Sequence, residues 1–202
     1  VIEQKGDSDI TKMQQNVSEA FSDLHVYKTV GWNILPVVWL SGFLCFIVLS
    51  MFNNAVFWML IRKERPITDQ RILNLLENCK TQMKIHTLIG IIVTDRVKSP
   101  ALFGYIRPRL LIPKESIQQL NDKELHYIFL HELAHLKRHD IGIYWILSFL
   151  QAVYWFNPLV WIAFYQMKVD QELACDALVL TRSKPGKSIE YAKTIIGYLE
   201  KS

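Results

Sequence analysis

The chain has 202 residues, of which 50% are hydrophobic and 12% aromatic, and it carries a formal net charge of +4. That hydrophobic share is high for a simple soluble domain, and the length allows one domain, or a small soluble domain with membrane segments. The charge is modest and is not gathered into an arginine-rich tract, so direct nucleic-acid binding has no support. Val1 is preceded by no basic n-region or cleavage site, and the sequence reads as a piece of something longer rather than a secreted precursor. Cys45, Cys79 and Cys175 are odd in number and follow no metal-ligand spacing, which fits reduced thiols on or facing a cytosolic compartment. A buried structural thiol is the expected role of Cys175.

Residues 1–33 are polar and weakly amphipathic, as expected of an extracytoplasmic loop followed by a surface or interfacial helix. Residues 34–61, "ILPVVWLSGFLCFIVLSMFNNAVFWMLI", contain no charge and are long enough to cross a bilayer. The run is followed directly by "RKER" and preceded by Glu19, Asp23 and only Lys28. The positive-inside rule then puts residues 62–140 on the cytoplasmic side. After Pro66, Thr68 or Asp69 can cap a helix in which Ile72, Leu75, Leu76, Cys79 and Met83 recur at helical spacing. "HTLIGIIVTD" and "RPRLLIP" read as strands, and "SPALFGYIRP" between them as a bend or hairpin connection. Asn121 with Glu124 forms a capping box at the head of the next helix. Lys137, Arg138 and His139 suit its negative end.

That helix carries "HELAHLKRHD". Residues four apart lie on one helical face, so His131 and His135 can aim their imidazoles at one ion. Glu132 lies beside the pair, where it can take a proton from water activated at the metal; this is the arrangement of the H-E-x-x-H zinc peptidases. A catalytic zinc keeps three protein ligands and an open position. His139 lies about 12 Å along the axis from His131, too far for the same ion on a straight helix. The longer pattern with a glycine and a third histidine fails too, since positions 138 and 141 are Arg and Ile. Glu172 in "DQELACDALVL" is the better third ligand. Asp176, four residues on, is placed to accept the outer N–H of a zinc histidine. Asp170 is the competitor.

Residues 141–169 separate the histidines from Glu172 and are mostly apolar. As one straight transmembrane helix they would carry Glu172 across the bilayer. Asn157-Pro158 sits in their middle and disfavours an unbroken helix. Two arms of about 15 residues, each about 22 Å long, would enter and return on the same side. Each falls short of a core of about 30 Å, so partial insertion is expected, with residues 170–202 back in the cytoplasm. "SIEYAKTIIGYLEKS" closes the chain as an amphipathic helix from near Ser188.

"SPALFGYIRPRLLIP", "HELAHLKRHD" and "ELACD" together resemble the membrane metallopeptidases typified by the bacterial β-lactam receptors, the Bla/Mec signal transducers of penicillinase and methicillin resistance. The resemblance implies an α+β membrane protein: a mainly helical gluzincin-type protease domain with a small β-sheet, at least one transmembrane helix and a partly inserted helical hairpin. It implies His131, His135 and Glu172 as Zn2+ ligands, Glu132 as general base and Asp176 behind the ligands. The enzyme would be a multi-pass protein of the cell membrane with its active site on the cytoplasmic side. It would cleave itself or a cytoplasmic repressor protein when an extracellular penicillin-binding sensor domain is acylated, and a homodimer is an allowed assembly. In gluzincins the peptide lies beside an edge strand, for which "RPRLLIP" is the candidate. No acylatable Ser-x-x-Lys motif and no sensor domain follow in this sequence, and its apolar spans are fewer than a full receptor needs. Two rivals stand beside this reading: a housekeeping membrane zinc protease for misfolded membrane proteins, and a non-enzymatic transducer with a structural metal.

Overall fold

A computed structural model describes residues 34–182, 186 and 188–199; the segment 1–33 expected to hold an interfacial helix lies outside the described residues. The chain divides into two units, Val1–Val48 and Leu49–Ser202. Helix α1, Ile34–Arg62, runs through both and is 29 residues long, about 43 Å at 1.5 Å per residue. It is the one helix among the described residues that is long and apolar enough to cross a membrane. Leu35, Val37, Val48, Met51 and Phe52 on it are exposed, as suits a lipid-facing helix. Within the first unit Trp39 and Phe43 stack one turn apart.

Among the described residues of the second unit a three-stranded sheet and six helices follow α1. The sheet comprises β1 (Gly90–Val93), β2 (Ala101–Phe103) and β3 (Arg109–Ile112), in the order β1-β3-β2. β1 runs parallel to β3, and β2 antiparallel to it. Two expectations change here. "SPALFGYIRP" does not only connect strands; its first part is itself β2, a three-residue strand too short to show a period. "RPRLLIP" is the central strand, not an edge. Leu110, Leu111 and Ile112 are buried, and the edge role passes to β2. The β2–β3 turn needs Gly104: its φ is +90°, and a Cβ there would sit 3.0 Å from the Arg107 carbonyl oxygen.

The helices are α2 (Gln70–Met83), α3 (Lys114–Gln119), α4 (Asp122–Arg138), α5 (Asp140–Val153), α6 (Pro158–Arg182) and α7 (Ser188–Leu199). Asp69 is the residue that caps α2, accepting from the Arg71 N–H. α4 is the hub, packed against α2, α6 and α7. Leu125, Phe129, Leu130 and Leu133 of α4 bury themselves among Ile72, Leu76, Met83, Leu110 and Val179. Each such side chain contributes about 1.5–3 kcal/mol, which holds the histidine-bearing helix against α2, α6 and the sheet.

The chain leaves the helical path after Val153 and re-enters at Pro158. Asn157 Oδ1 accepts the Leu159 N–H at 3.0 Å, and proline fits the first helical position because its missing donor has no partner there anyway. α5 and α6 pack on each other, with the Tyr144 and Phe164 rings 5.5 Å apart and Lys168 over the Tyr144 ring. Their outer faces leave Ile146, Phe149, Leu159 and Ile162 exposed. α6 continues unbroken to Arg182, so Glu172 and Asp176 ride on the same helix as the apolar returning segment.

Candidate metal centre

α4 starts on its capping box: Asn121 Oδ1 accepts the N–H groups of Lys123 and Glu124, and Glu124 answers on the Asn121 N–H. One face of the helix is committed to the core, which leaves His131, Glu132 and His135 half-buried on the neighbouring face. The two imidazole centroids are 5.0 Å apart. α6 brings Glu172 to them: its Oε2 lies 3.1 Å from His131 Nε2 and 3.7 Å from His135 Nε2. Two donors, each about 2.0–2.2 Å from a tetrahedral zinc, stand about 3.3–3.6 Å from one another. The nitrogen-nitrogen-oxygen set of His131, His135 and Glu172 therefore has the size and chemistry to hold one such ion.

Both histidines are fixed from behind. His131 Nδ1 is 3.0 Å from Asp176 Oδ1 and 3.1 Å from the Tyr191 hydroxyl, and Tyr191 donates to the same Asp176 oxygen. His135 Nδ1 is 2.9 Å from Asp140 Oδ2. A carboxylate only accepts, so in each case Nδ1 carries the proton and Nε2 turns its lone pair to the ion. Asp140 also receives the Cys175 thiol at 3.3 Å and Arg138 Nε at 3.4 Å. Its Oδ1 has no partner among the described residues.

The three groups shift one another's proton affinities. Glu172 is pulled well below the usual carboxylate range by hydrogen bonds from His131 and His135. Burial alone would lower both imidazoles; hydrogen bonding to Glu172 reverses this for His131, and contacts with Cys175 and Glu172 reverse it for His135. Glu132 is different. Removal from water pushes its carboxyl up to about 7, against the opposing pull of His131 and His135. The nearby backbone N–H of Leu102 draws it slightly down, so edge strand β2 lies beside this carboxylate.

All five residues singled out in the sequence lie together: His131, Glu132 and His135 from α4, Glu172 and Asp176 from α6. His139 and Asp170 belong to neither group of potential metal ligands among the described residues. Three participants were missed. Asp140 is five residues after His135, about 140° away around a continuous helix at 100° per residue. It reaches Nδ1 because His139 takes a left-handed conformation, φ 59°, that ends α4 and re-aims the chain. Tyr191 comes from α7, and the Leu102 N–H from a strand too short to anticipate. Cys175 is buried as expected, but against the site: its sulfur is 3.2 Å from His135 Nδ1.

Residues 3–202 match the family model described as BlaR1 peptidase M56. The chain is 30% identical over 161 residues to the regulatory protein BlaR1 of Bacillus licheniformis, covering 80% of this chain and 27% of that protein. It is 28% identical over 166 residues to the methicillin resistance mecR1 protein of Staphylococcus aureus strain Mu50, covering 81% and 28% respectively. A protease HtpX homolog of Bacteroides fragilis is 30% identical over 116 residues, covering 55% of this chain and 36% of its own. Among solved structures, the metallopeptidase zymogen abylysin of Pyrococcus abyssi aligns with 65% of this chain and 97% of its own at 17% identity and a TM-score of 0.37. The chain thus spans little more than a quarter of the BlaR1 and mecR1 relatives' length. Matched by the family model over nearly its whole length, it belongs to the BlaR1 peptidase M56 family.

Proposed function

We propose that the chain is the protease part of an integral-membrane zinc endopeptidase that transduces a β-lactam signal. It would cleave itself, a cytoplasmic transcriptional repressor, or both. The observation that carries this reading is the convergence of His131 Nε2, His135 Nε2 and the Glu172 carboxylate with Glu132 alongside. A bound zinc supplies a Lewis acid that polarises the scissile carbonyl and acidifies the attacking water. Glu132 accepts the proton of that water at its carboxylate and hands it to the leaving amine. Its raised affinity for a proton, at about 7, suits a group that must both take and give one near neutrality. Asp176 with Tyr191, and Asp140, keep the two imidazoles turned to the ion. β2 offers its open edge to an extended peptide by main-chain pairing, beside the base that its own Leu102 N–H contacts.

The apolar length of α1 and the basic Arg62–Arg65 flank support a cell-membrane location with the site on the cytoplasmic side. The exposed apolar faces of α5 and α6 support partial insertion of that pair. α5, at 14 residues, is about 21 Å long, short of a full crossing. An extracellular penicillin-binding sensor and a repressor substrate are the partners this reading assigns to the whole protein. The similarity to an HtpX homolog favours a second reading, a membrane protease for misfolded membrane proteins with the same chemistry.

The test is metal content and self-cleavage of the chain in lipid vesicles. Wild type binds one zinc and cleaves; Glu132→Gln keeps the zinc and loses about 10²–10⁴ in rate; Glu172→Ala loses the zinc. A Glu132→Gln chain with wild-type activity ends the reading. Proteolysis by the longer protein that sensor acylation leaves unchanged favours the second.

A further inference from the structure

A cleft of about 530 Å³ opens against the metal centre, with His135 in its wall. Ligand pockets commonly fall in this size range. One side is the β2–β3 turn, where the Tyr105 ring lies over the start of α5; a Cβ on Gly142 would meet that ring at 3.2 Å. The other sides are the C-terminal ends of α2 and α4 and the segment just after α2, which contribute Lys84, Lys137, His139 and His86. Among the described residues no carboxylate lines the cleft. Lys84 is held in place as the left-handed cap of α2, its N–H bonded to the carbonyls of Lys80 and Thr81. Lys137 Nζ donates to the Met83 carbonyl one residue earlier, which leaves two of its three donors for another partner. Among the described residues neither lysine is in an ion pair with a carboxylate.

Basic residues at a helix C-terminus also complement the helix dipole, and that accounts for a lysine on each helix. It does not account for two helix ends meeting over one acid-free cleft whose wall includes a metal ligand. We infer that this cleft is a substrate subsite that takes an acidic side chain of the peptide, Asp or Glu, close to the bond to be cut. The inference deepens the protease reading and rests on it for the word substrate. A peptide paired with β2 passes Glu132 and runs on toward the turn that carries Tyr105. Side chains on one face of such a strand recur every second residue, so one of them falls over the cleft. Its apolar stem meets Ile85 and Ile141 while its carboxylate reaches Lys84 and Lys137.

The experiment uses the zinc-loaded full chain in phosphatidylcholine vesicles and fluorogenic peptides that differ only by Glu, Gln or Lys at each position around the cleaved bond. At one position kcat/KM falls from Glu to Gln by about two- to fivefold, the range open to partly exposed ion pairs, and falls further with Lys. Lys84→Glu with Lys137→Glu inverts that order at the same position only. Equal rates for Glu and Gln at every position overturn the proposal, as does an order that charge reversal leaves unmoved. Binding of the same peptides to the Glu132→Gln chain, read by anisotropy, separates the two readings. A Glu preference there without turnover in wild type keeps the subsite and sinks the protease; turnover without any Glu preference does the reverse. If charge reversal leaves the peptide order intact but abolishes energy transfer to pyrene-labelled phosphatidylglycerol, the cleft holds a lipid headgroup and the proposal fails. Lys84→Gln with Lys137→Gln, checked for zinc content and melting temperature, guards against a folding artefact: it flattens the order without inverting it.

Discussion

Asp140 and Asp176 do the same thing to different histidines, yet their removal should have different consequences. Each holds an Nδ1 proton, at 2.9 Å from His135 and 3.0 Å from His131 respectively. Loss of such an outer partner lowers metal affinity by about 10–100-fold, or about 1.4–2.7 kcal/mol. His131 has a reserve: with Asp176 gone, the Tyr191 hydroxyl at 3.1 Å still accepts its Nδ1–H. Among the described residues His135 has only the Cys175 sulfur at 3.2 Å, a weak acceptor. Burial differs as well. The Asp140 side chain is 6% exposed and that of Asp176 38%, and Asp140 also receives Arg138 and Cys175. Asp140→Ala strands those donors, at about 1–3 kcal/mol of unfolding free energy. The expected outcome is a zinc affinity down about 100-fold and a less stable metal-free protein for Asp140→Ala. For Asp176→Ala it is about tenfold, with a smaller loss of stability than for Asp140→Ala, since one donor besides the histidine, the Tyr191 hydroxyl, is stranded rather than two. Adding Tyr191→Phe to Asp176→Ala takes the loss to the upper end of that range. Competition with a chromophoric chelator reads the affinity, and denaturant unfolding of the metal-free chain the stability. Zinc affinity within twofold of wild type for Asp140→Ala refutes the reasoning, as do equal stabilities for the two alanine variants.

On the proposed mechanism, cleavage requires Glu132 ionised. Its proton affinity is raised from 4.5 to about 7 without metal, and a bound dication pulls it back down. kcat/KM therefore falls as pH drops through the interval from about 7 to 4.5; a rate that rises there contradicts the role. Zinc uptake near neutral pH should release protons, because His131 and His135 are raised above the ordinary imidazole value in the metal-free site. Calorimetry in buffers of different ionisation enthalpy reads this, and heats independent of buffer would count against it. Gly104→Ala forces a φ of +90° on a residue with a Cβ 3.0 Å from the Arg107 carbonyl. It should cost about 1–3 kcal/mol and raise KM more than it lowers kcat, since it disturbs the β2 edge and not the ligands. An unchanged KM would show that substrate does not pair there.

The convergence of the candidate ligands was legible because helical geometry is regular. His131 and His135 at a spacing of four must share a face, and the same spacing places Asp176 one turn from Glu172. The break at Asn157-Pro158 was legible because proline has a local consequence wherever it stands. Asp140 was not. Its approach depends on His139 adopting φ 59°, and positive φ is uncommon enough even for histidine that the sequence does not announce it. The choice between edge and centre for "RPRLLIP" was lost because strand order is a long-range property, and a strand of three residues, Ala101–Phe103, has no alternation to read. Tyr191 follows a segment whose path no local pattern prescribes.

The most direct test of the account is zinc X-ray absorption on the metal-loaded chain. His131, His135 and Glu172 predict a first shell of nitrogen and oxygen alone at about 2.0–2.2 Å, with two imidazoles. His135, Asp140 and Cys175 also lie close enough together to ligate an ion, and that alternative has its own signature. A sulfur scatterer at about 2.3 Å would contradict the central claim.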